Sequence, residues 1–164
     1  MASYTIVPAQ SVLKMTLYAK EDYSKNPDTN NGPIIIEKQG PMGTTWVFSW
    51  LVTDGRGPDA NVVGHMQGTG VQVANGVYHY SLGLVFQDHW FNGSTLQISG
   101  TSEINGVWSI VGGTGKLTMA QGTIKRTRIK YENYDSSELI IHARYAPMDC
   151  ANDSGTEGTF VQTA

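Results

Sequence analysis

Apolar and polar residues alternate along most of this chain. From Ser11, residues Leu13, Met15, Leu17 and Ala19 fall on one face, and Lys14, Thr16, Tyr18 and Lys20 on the other. That period of two predicts a strand with one wet face. Thr44–Thr53 repeats it with Trp46, Phe48, Trp50 and Val52 on the apolar side. Val62–Val73 is strand-like but carries Gly64, Gly68 and Gly70; glycines inside a strand mark a bulge or the close approach of another backbone. Further on, Tyr78, Tyr80, Leu82, Leu84 and Phe86 alternate with His79, Ser81 and Gly83. Thr95–Ser99, Val107–Val111, Thr123–Tyr131 and Glu138–Tyr145 predict four more strands, and the β-branched run Ile34–Ile36 a short buried one.

The segments between these runs read as turns. Lys25–Pro33 and Asp54–Asp59 are loops by composition, and Gly40–Gly43 is a turn. Asn75-Gly76, Asn92-Gly93 and Asn105-Gly106 are hairpin signals, because a tight type I′ turn needs positive φ at both central residues. No amphipathic helix of useful length interrupts the series. Sequential hairpins build an antiparallel meander, and closing a meander removes its exposed edges. The predicted fold is therefore all-β, an eight-stranded antiparallel up-and-down β-barrel over residues 1–147; a two-sheet sandwich is the alternative. Residues 148–164, rich in Gly, Thr, Asp and Ser, read as a flexible tail or linker.

Composition narrows the function. Only 15% of the 164 residues are charged and the net charge is −3, which gives no electrostatic reason to expect nucleic acid. Lys125, Arg126, Arg128 and Lys130 cluster, but alternation sends Arg126, Arg128 and Lys130 to one face, read as a solvated exterior or an oligomer contact. Glu138, His142 and Arg144 on the last strand could pair with them. Nothing approaches the roughly 18 apolar residues of a membrane span, and the N-terminus has no signal-peptide pattern. The expectation is a cytoplasmic or nuclear protein without a membrane partner. The single Cys150 cannot form an internal disulfide. The four histidines lack metal-ligand spacing, so no metal is expected.

Gly113-Thr114-Gly115-Lys116 looks like a phosphate loop but fails its pattern. Ile110 stands where the first glycine is needed, Leu117 follows the lysine, and no helix pattern comes next. A glycine-rich bend in the barrel is the better reading. Asp88, His89, Trp90 and Asn92 form a different candidate, a sugar site. An indole covers the C–H face of a pyranose, and Asp and Asn engage its hydroxyls. Trp46 and Trp50, on one strand face, are core or barrel-pocket residues.

Val85-Phe86-Gln87-Asp88, Asn92–Leu96 and Ile110–Gly115, followed by Met119-Ala120-Gln121-Gly122, resemble the plant dirigent proteins in order and spacing. Trp46-Val47-Phe48, Val62-Val63-Gly64 and Gln67-Gly68 fit the same family, and the likeness covers roughly residues 10–146. The resemblance implies an eight-stranded antiparallel barrel, commonly trimeric. It also implies that the protein guides phenoxy-radical coupling or acts on quinone methides, without cofactor. Two pocket positions depart from the family: Trp50 replaces a carboxylate that could move a proton, and Gln121 replaces an arginine that could stabilise an anion.

Those departures resemble the dirigent domain of the monocot chimeric jacalins, in which a fused jacalin-type lectin domain follows. That likeness implies a non-catalytic, lectin-like domain of a defence or stress protein. Its partner would be a mono- or disaccharide of galactose type, or a cell-wall or pathogen glycan. No catalytic residue is assigned. Trp46, Trp50 and Gln121 are the barrel-pocket candidates, and a homo-oligomer, dimer or trimer, is expected. The alternatives are a barrel that steers phenoxy-radical coupling and an oligomerisation module for the fused lectin.

Overall fold

The computed structural model describes residues 10–21, 31–34, 42–57, 59–102, 105–130 and 135–146. They form β1 (Ser11–Glu21), β2 (Asn31–Ile34), β3 (Thr45–Thr53), β4 (Val62–Ala74), β5 (Val77–Phe86), β6 (Thr95–Thr101), β7 (Val107–Thr114), β8 (Gln121–Lys130) and β9 (Asp135–Tyr145). β3 to β9 pair in sequence order as an antiparallel meander, and β1 docks on β9. β1 also pairs with β3, Tyr18 opposite Thr53 and Lys20 opposite Leu51, and this closes an eight-stranded barrel. The predicted barrel is thus present and the sandwich is not.

β2 takes the rest of the same β3 edge, pairing with Thr45–Phe48 where β1 does not reach. The strand begins at Asn31, inside the segment expected to be a loop, because an unpaired length of β3 backbone demands partners. An edge strand also tolerates the missing N–H of Pro33. Ile35, Ile36 and the expected tail at 148–164 lie outside the described residues.

Alternation sets the barrel's inside. Leu13 and Leu17 of β1, Trp50 and Val52 of β3, Leu82, Leu84 and Phe86 of β5, and Leu139 and Ile141 of β9 are all buried there. The central rung is fixed by register: Trp50 lies opposite Met66, Met66 opposite Leu84, and Leu84 opposite Leu96. All four are nearly inaccessible. Toward one end the rungs alternate large and small. Trp46 faces Gly70, Gly70 faces Tyr80, and Tyr80 faces Gly100. A Cβ on Gly70 would lie 2.7 Å from Tyr80 Cε1 and 2.8 Å from Phe48 Cε2; one on Gly100 would lie 2.3 Å from Trp108 Cδ1. These two glycines are needed so that the neighbouring rings can cross the strands.

The glycine-rich stretch after β7 is a bend. Gln97 pairs with Gly112 but Ile98 with Ile110, so Val111 is an extra residue in the ladder. One 3-10 turn, Gly115–Leu117, follows, with Gly115 at φ 61°. Lys116 N donates to Ser94 Oγ at 3.1 Å, and a Cβ on Gly115 would lie 2.8 Å from that oxygen. Three residues of 3-10 helix make no phosphate cradle. The three Asn-Gly pairs do lie in connections between strands, but each has positive φ at one residue only, Gly76 at 70°, Gly93 at 76° and Asn105 at 62°, so none is the type I′ turn expected.

The meander puts the β4–β5 and β6–β7 turns and the start of β3 at one end of the barrel. The β3–β4, β5–β6 and β7–β8 connections lie at the other end.

Candidate functional site

At the end marked by the β4–β5 hairpin the barrel contains a cavity of about 200 Å³, lined by Trp46, Phe48, Tyr78 and Tyr80. Two come from β3 and two from β5, with β4 between them. β4 offers glycine at both intervening inward positions, Gly68 and Gly70. Rings from its two neighbours therefore meet over its backbone. Phe48 and Tyr80 stand edge to face at 5.4 Å, and Phe48 and Trp50 are tilted at 5.0 Å. Tyr80 in turn meets Trp50 at 6.4 Å and Trp108 at 5.5 Å, both edge to face. These are the arrangements that aromatic quadrupoles favour.

Behind this wall sits Arg126. Its side chain is only 6% exposed. Nε donates to Ser137 Oγ at 2.9 Å, and the guanidinium carbon lies 5.9 Å from the Trp50 ring and 5.2 Å from the Trp108 ring. Trp108 is held by its own bond, Nε1 donating to Thr101 O at 2.9 Å. Arg128 Nε is buried as well. The basic run therefore does not form a solvated exterior, as its composition suggested. Ile124 points inward, fully buried, Arg126 follows it inside, and Arg128 is half-buried. A planar guanidinium can lie on indole faces, which is what makes an interior arginine tolerable here. Lys125 and Lys130 remain exposed.

Gln121 is not part of the cavity. It is exposed and opposes Arg144, also exposed, on the parity opposite to Ile124 and Arg126. Trp50 does lie inside, but as packed core rather than at the mouth, with 2% exposure. Trp46 is a wall of the cavity. Tyr78 and Tyr80 were legible only as strand residues and Arg126 only as part of a basic face, none as a site residue. The usable signal was the Gly68 and Gly70 pair, which promised that large rings would cross β4.

The Asp88–Asn92 group is at the opposite end. β5 runs from Tyr78 to Phe86 between the two places, roughly 25 Å at about 3.3 Å per residue. Asp88 Oδ1 accepts from Phe91 N at 2.6 Å, so one carboxylate oxygen holds the loop closed. Phe91 packs on Phe86 at 5.5 Å, and Lys116 Nζ donates to Trp90 O at 2.9 Å. This leaves Trp90 72% exposed, with the His89 ring against it at 5.6 Å; His89 and Asn92 are exposed too.

Glu138 does not pair with the basic run. It lies on the outer face, where Arg56 makes an ion pair with it and Tyr18 OH donates to it at 3.3 Å. Bonding to Glu138, then to Tyr18, raises Arg56 above its ordinary pKa. Both partners are accessible enough that the contact positions the 54–61 loop more than it stabilises the barrel. Among the described residues no group of three or more His, Cys, Asp or Glu could hold a metal ion.

Cavity access depends on Gly70. Gly70→Ala is expected to push the Phe48 and Tyr80 rings into the cavity, lowering ring-ligand affinity at least tenfold. The expected stability cost is about 1–3 kcal/mol. Titration calorimetry and a urea melt check the two parts.

Solved structures with this architecture include that of the pterocarpan synthase dirigent protein GePTS1. It has a TM-score of 0.73 and 22% identity, covering 88% of this chain and 96% of that one. The pterocarpan synthase dirigent protein PsPTS1 follows with 0.70 and 22%, covering 84% and 97%. A pyocyanin demethylase has 0.52 and 19%, covering 77% and 98%. At these identities the likeness is one of fold. No curated protein matches the sequence. The expectation of a non-catalytic barrel is withdrawn, because proteins of this fold include two described as pterocarpan synthases and one described as a demethylase, so the fold gives no ground for it. Its premise also weakens in the structure, since position 121 is outside the barrel and an arginine sits inside it at 126. The dirigent-like protein family model matches residues 12–144, nearly the whole closed barrel, and the chain belongs to that family.

Proposed function

We propose that this protein binds a single-ring phenol in the aromatic cavity and steers the stereochemistry of its coupling. The carrying observation is the cavity of about 200 Å³ walled by Trp46, Phe48, Tyr78 and Tyr80. Cavities of about 150 Å³ admit benzene, so this one suits a single substituted ring and is tight for a fused polycycle. Four rings offer stacking and edge contacts that fix a ring's plane. Fixing the plane is what stereocontrol needs. An external one-electron oxidant removes one electron and one proton from each phenol, and two radicals then join through one new C–C bond. The protein's part is to leave only one face of the ring open.

The test is oxidation of coniferyl alcohol by a laccase with and without the protein, followed by chiral chromatography. An enantiomeric excess that grows with protein concentration is expected. A racemic product, with no heat of binding for the alcohol, would overturn the proposal.

A second reading has its own observation, the exposed Trp90 indole at the opposite end. We propose that it contacts a saccharide, with His89 and Asn92 beside it and Asp88 contributing only its remaining oxygen. In a protein where a jacalin-type lectin follows the barrel, this loop would add a second sugar contact. Trp90→Ala should abolish glycan-array binding and leave coupling untouched.

A further inference from the structure

Two glycines on the outside of the barrel have no packing reason to be there. Gly83 of β5 and Gly112 of β7 stand on either side of Gln97 of β6, on one outward rung. Neither has a left-handed φ, so the bulge at Val111 does not call for a glycine beside it. A Cβ on Gly83 would come no nearer than 3.8 Å to the Gln97 amide, and one on Gly112 no nearer than 3.8 Å to Gln97 Cβ and Cγ. Those are ordinary contacts. Gly64, Gly113 and Gly122 differ, since a Cβ there would run into the backbone oxygens of Val85, Leu117 and His142. Glycine weakens a strand interior and often marks the close approach of something else. The exposed Gln97 lies over this low floor. Its Nε2 donates to Thr95 Oγ1 at 3.3 Å, and that oxygen lies 2.7 Å from Thr114 Oγ1. No described residue bonds to the amide oxygen.

The chemistry around the rung is narrow. β4, β5, β6 and β7 contain no Asp, Glu, Lys or Arg, so nothing on them attracts an ion. The aromatic residues of β5 to β7, Tyr78, Tyr80, Phe86 and Trp108, all face inward. The outer face therefore lacks the rings and arginines on which protein contacts centre. It presents neutral amide and hydroxyl groups, Ser99 Oγ among them at 3.2 Å from His79 Nε2. Such groups donate and accept, as sugar hydroxyls do. They follow β6 from Thr95 to Thr101, roughly 20 Å at about 3.3 Å per residue. At the Thr95–Thr114 end they meet the Trp90 loop. There Lys116, two residues after Thr114, donates through Nζ to Trp90 O at 2.9 Å.

We propose that the outer surface of β5 to β7 around Gln97 binds a neutral oligosaccharide of several units, continuing from the sugar on Trp90. This rests on the saccharide reading of Trp90 and adds the class and size of its ligand. The exposed indole stacks on one unit. Gln97 and its hydroxyl neighbours take the following units, which lie against the glycine floor. A ligand of one or two units reaches Trp90 alone.

The probes are oligosaccharides cut from galactan and from cellulose, each from disaccharide to hexasaccharide, titrated by calorimetry. In at least one series the hexasaccharide should bind about tenfold tighter than the disaccharide, the worth of one to two neutral hydrogen bonds. Gly83→Val raises the floor and displaces the Gln97 amide at a position with room for a Cβ, so its urea midpoint should not fall. In this variant the gain with length should vanish while disaccharide affinity stays. Gln97→Ala, on the exposed surface, should reduce the same gain and supplies the test if Gly83→Val folds poorly.

Disaccharide binding without a gain on lengthening would overturn this inference and leave the Trp90 reading standing. A gain that survives both substitutions would do the same. No binding by either series would overturn both. A parent dimer in light scattering that Gly83→Val or Gln97→Ala converts to a monomer would assign the surface to a second copy and overturn the glycan.

Discussion

Trp50→Ala is expected to destabilise the protein by about 3–5 kcal/mol, the range for truncating a buried aromatic side chain. The indole is 2% exposed and sits in the central rung with Met66, Leu84 and Leu96. Its loss removes the ring that Phe48 and Tyr80 lean on and one of the two faces beneath Arg126. A closed barrel cannot collapse onto the void, because every strand is pinned on both sides. The cost should therefore lie toward the upper end. A urea melt with a lowered midpoint and unchanged slope is the expected signature.

Trp50→Asp is expected to cost no less. It makes the same void and adds a buried carboxylate, only partly offset by Arg126. Combining it with Gln121→Arg would not rebuild an interior ion pair, since position 121 faces solvent. A double variant more stable than Trp50→Asp by over about 1 kcal/mol, beyond what an exposed charge contributes, would contradict that placement.

Arg126→Ala is expected to cost about 3 kcal/mol. A charge-assisted bond to Ser137 is worth about 1.5–3 kcal/mol, and a desolvated cation–π contact about 2 kcal/mol or more, so a non-additive loss near this value follows. Arg126→Met retains most of the volume and separates packing from the cation. It should recover part of the lost stability, as read from the same denaturation midpoint. Because the guanidinium lies against the rings behind the cavity, both variants should also loosen Tyr80 through Trp108 and weaken binding of a single-ring phenol. Unchanged affinity in Arg126→Ala would detach the arginine from the site.

The barrel was legible because strand alternation, Asn-Gly turns and the need to close an edge are local or nearly local rules. Ser11–Ala19, Thr44–Thr53 and Tyr78–Phe86 each announced a strand with an inner face, and each is one. Wrong expectations came where a rule needed the partner strand. The parity of Arg126 and Arg128 was read correctly as one face, but which face was inside depended on Ile124 and on the pairing of β8 with β9. Charge suggested outside; two indoles and Ser137 made the inside tolerable. Gln121 was assigned from the order of residues in a motif, and one step of parity sends it to solvent.

The start of β2 had the same cause. Asn31–Ile34 has a loop composition, yet β3 leaves an edge that β1 does not cover.

What the sequence determined by itself is the strand series, its turns, and the bend at Gly113-Thr114-Gly115-Lys116, since alternation and positive φ are properties of neighbouring residues. Tertiary structure alone decided the site. A cavity between β3 and β5 exists because Gly68 and Gly70 of β4 let rings from strands more than thirty residues apart in the chain meet over its backbone. A buried Arg126 becomes visible only once barrel closure has chosen which faces water can reach.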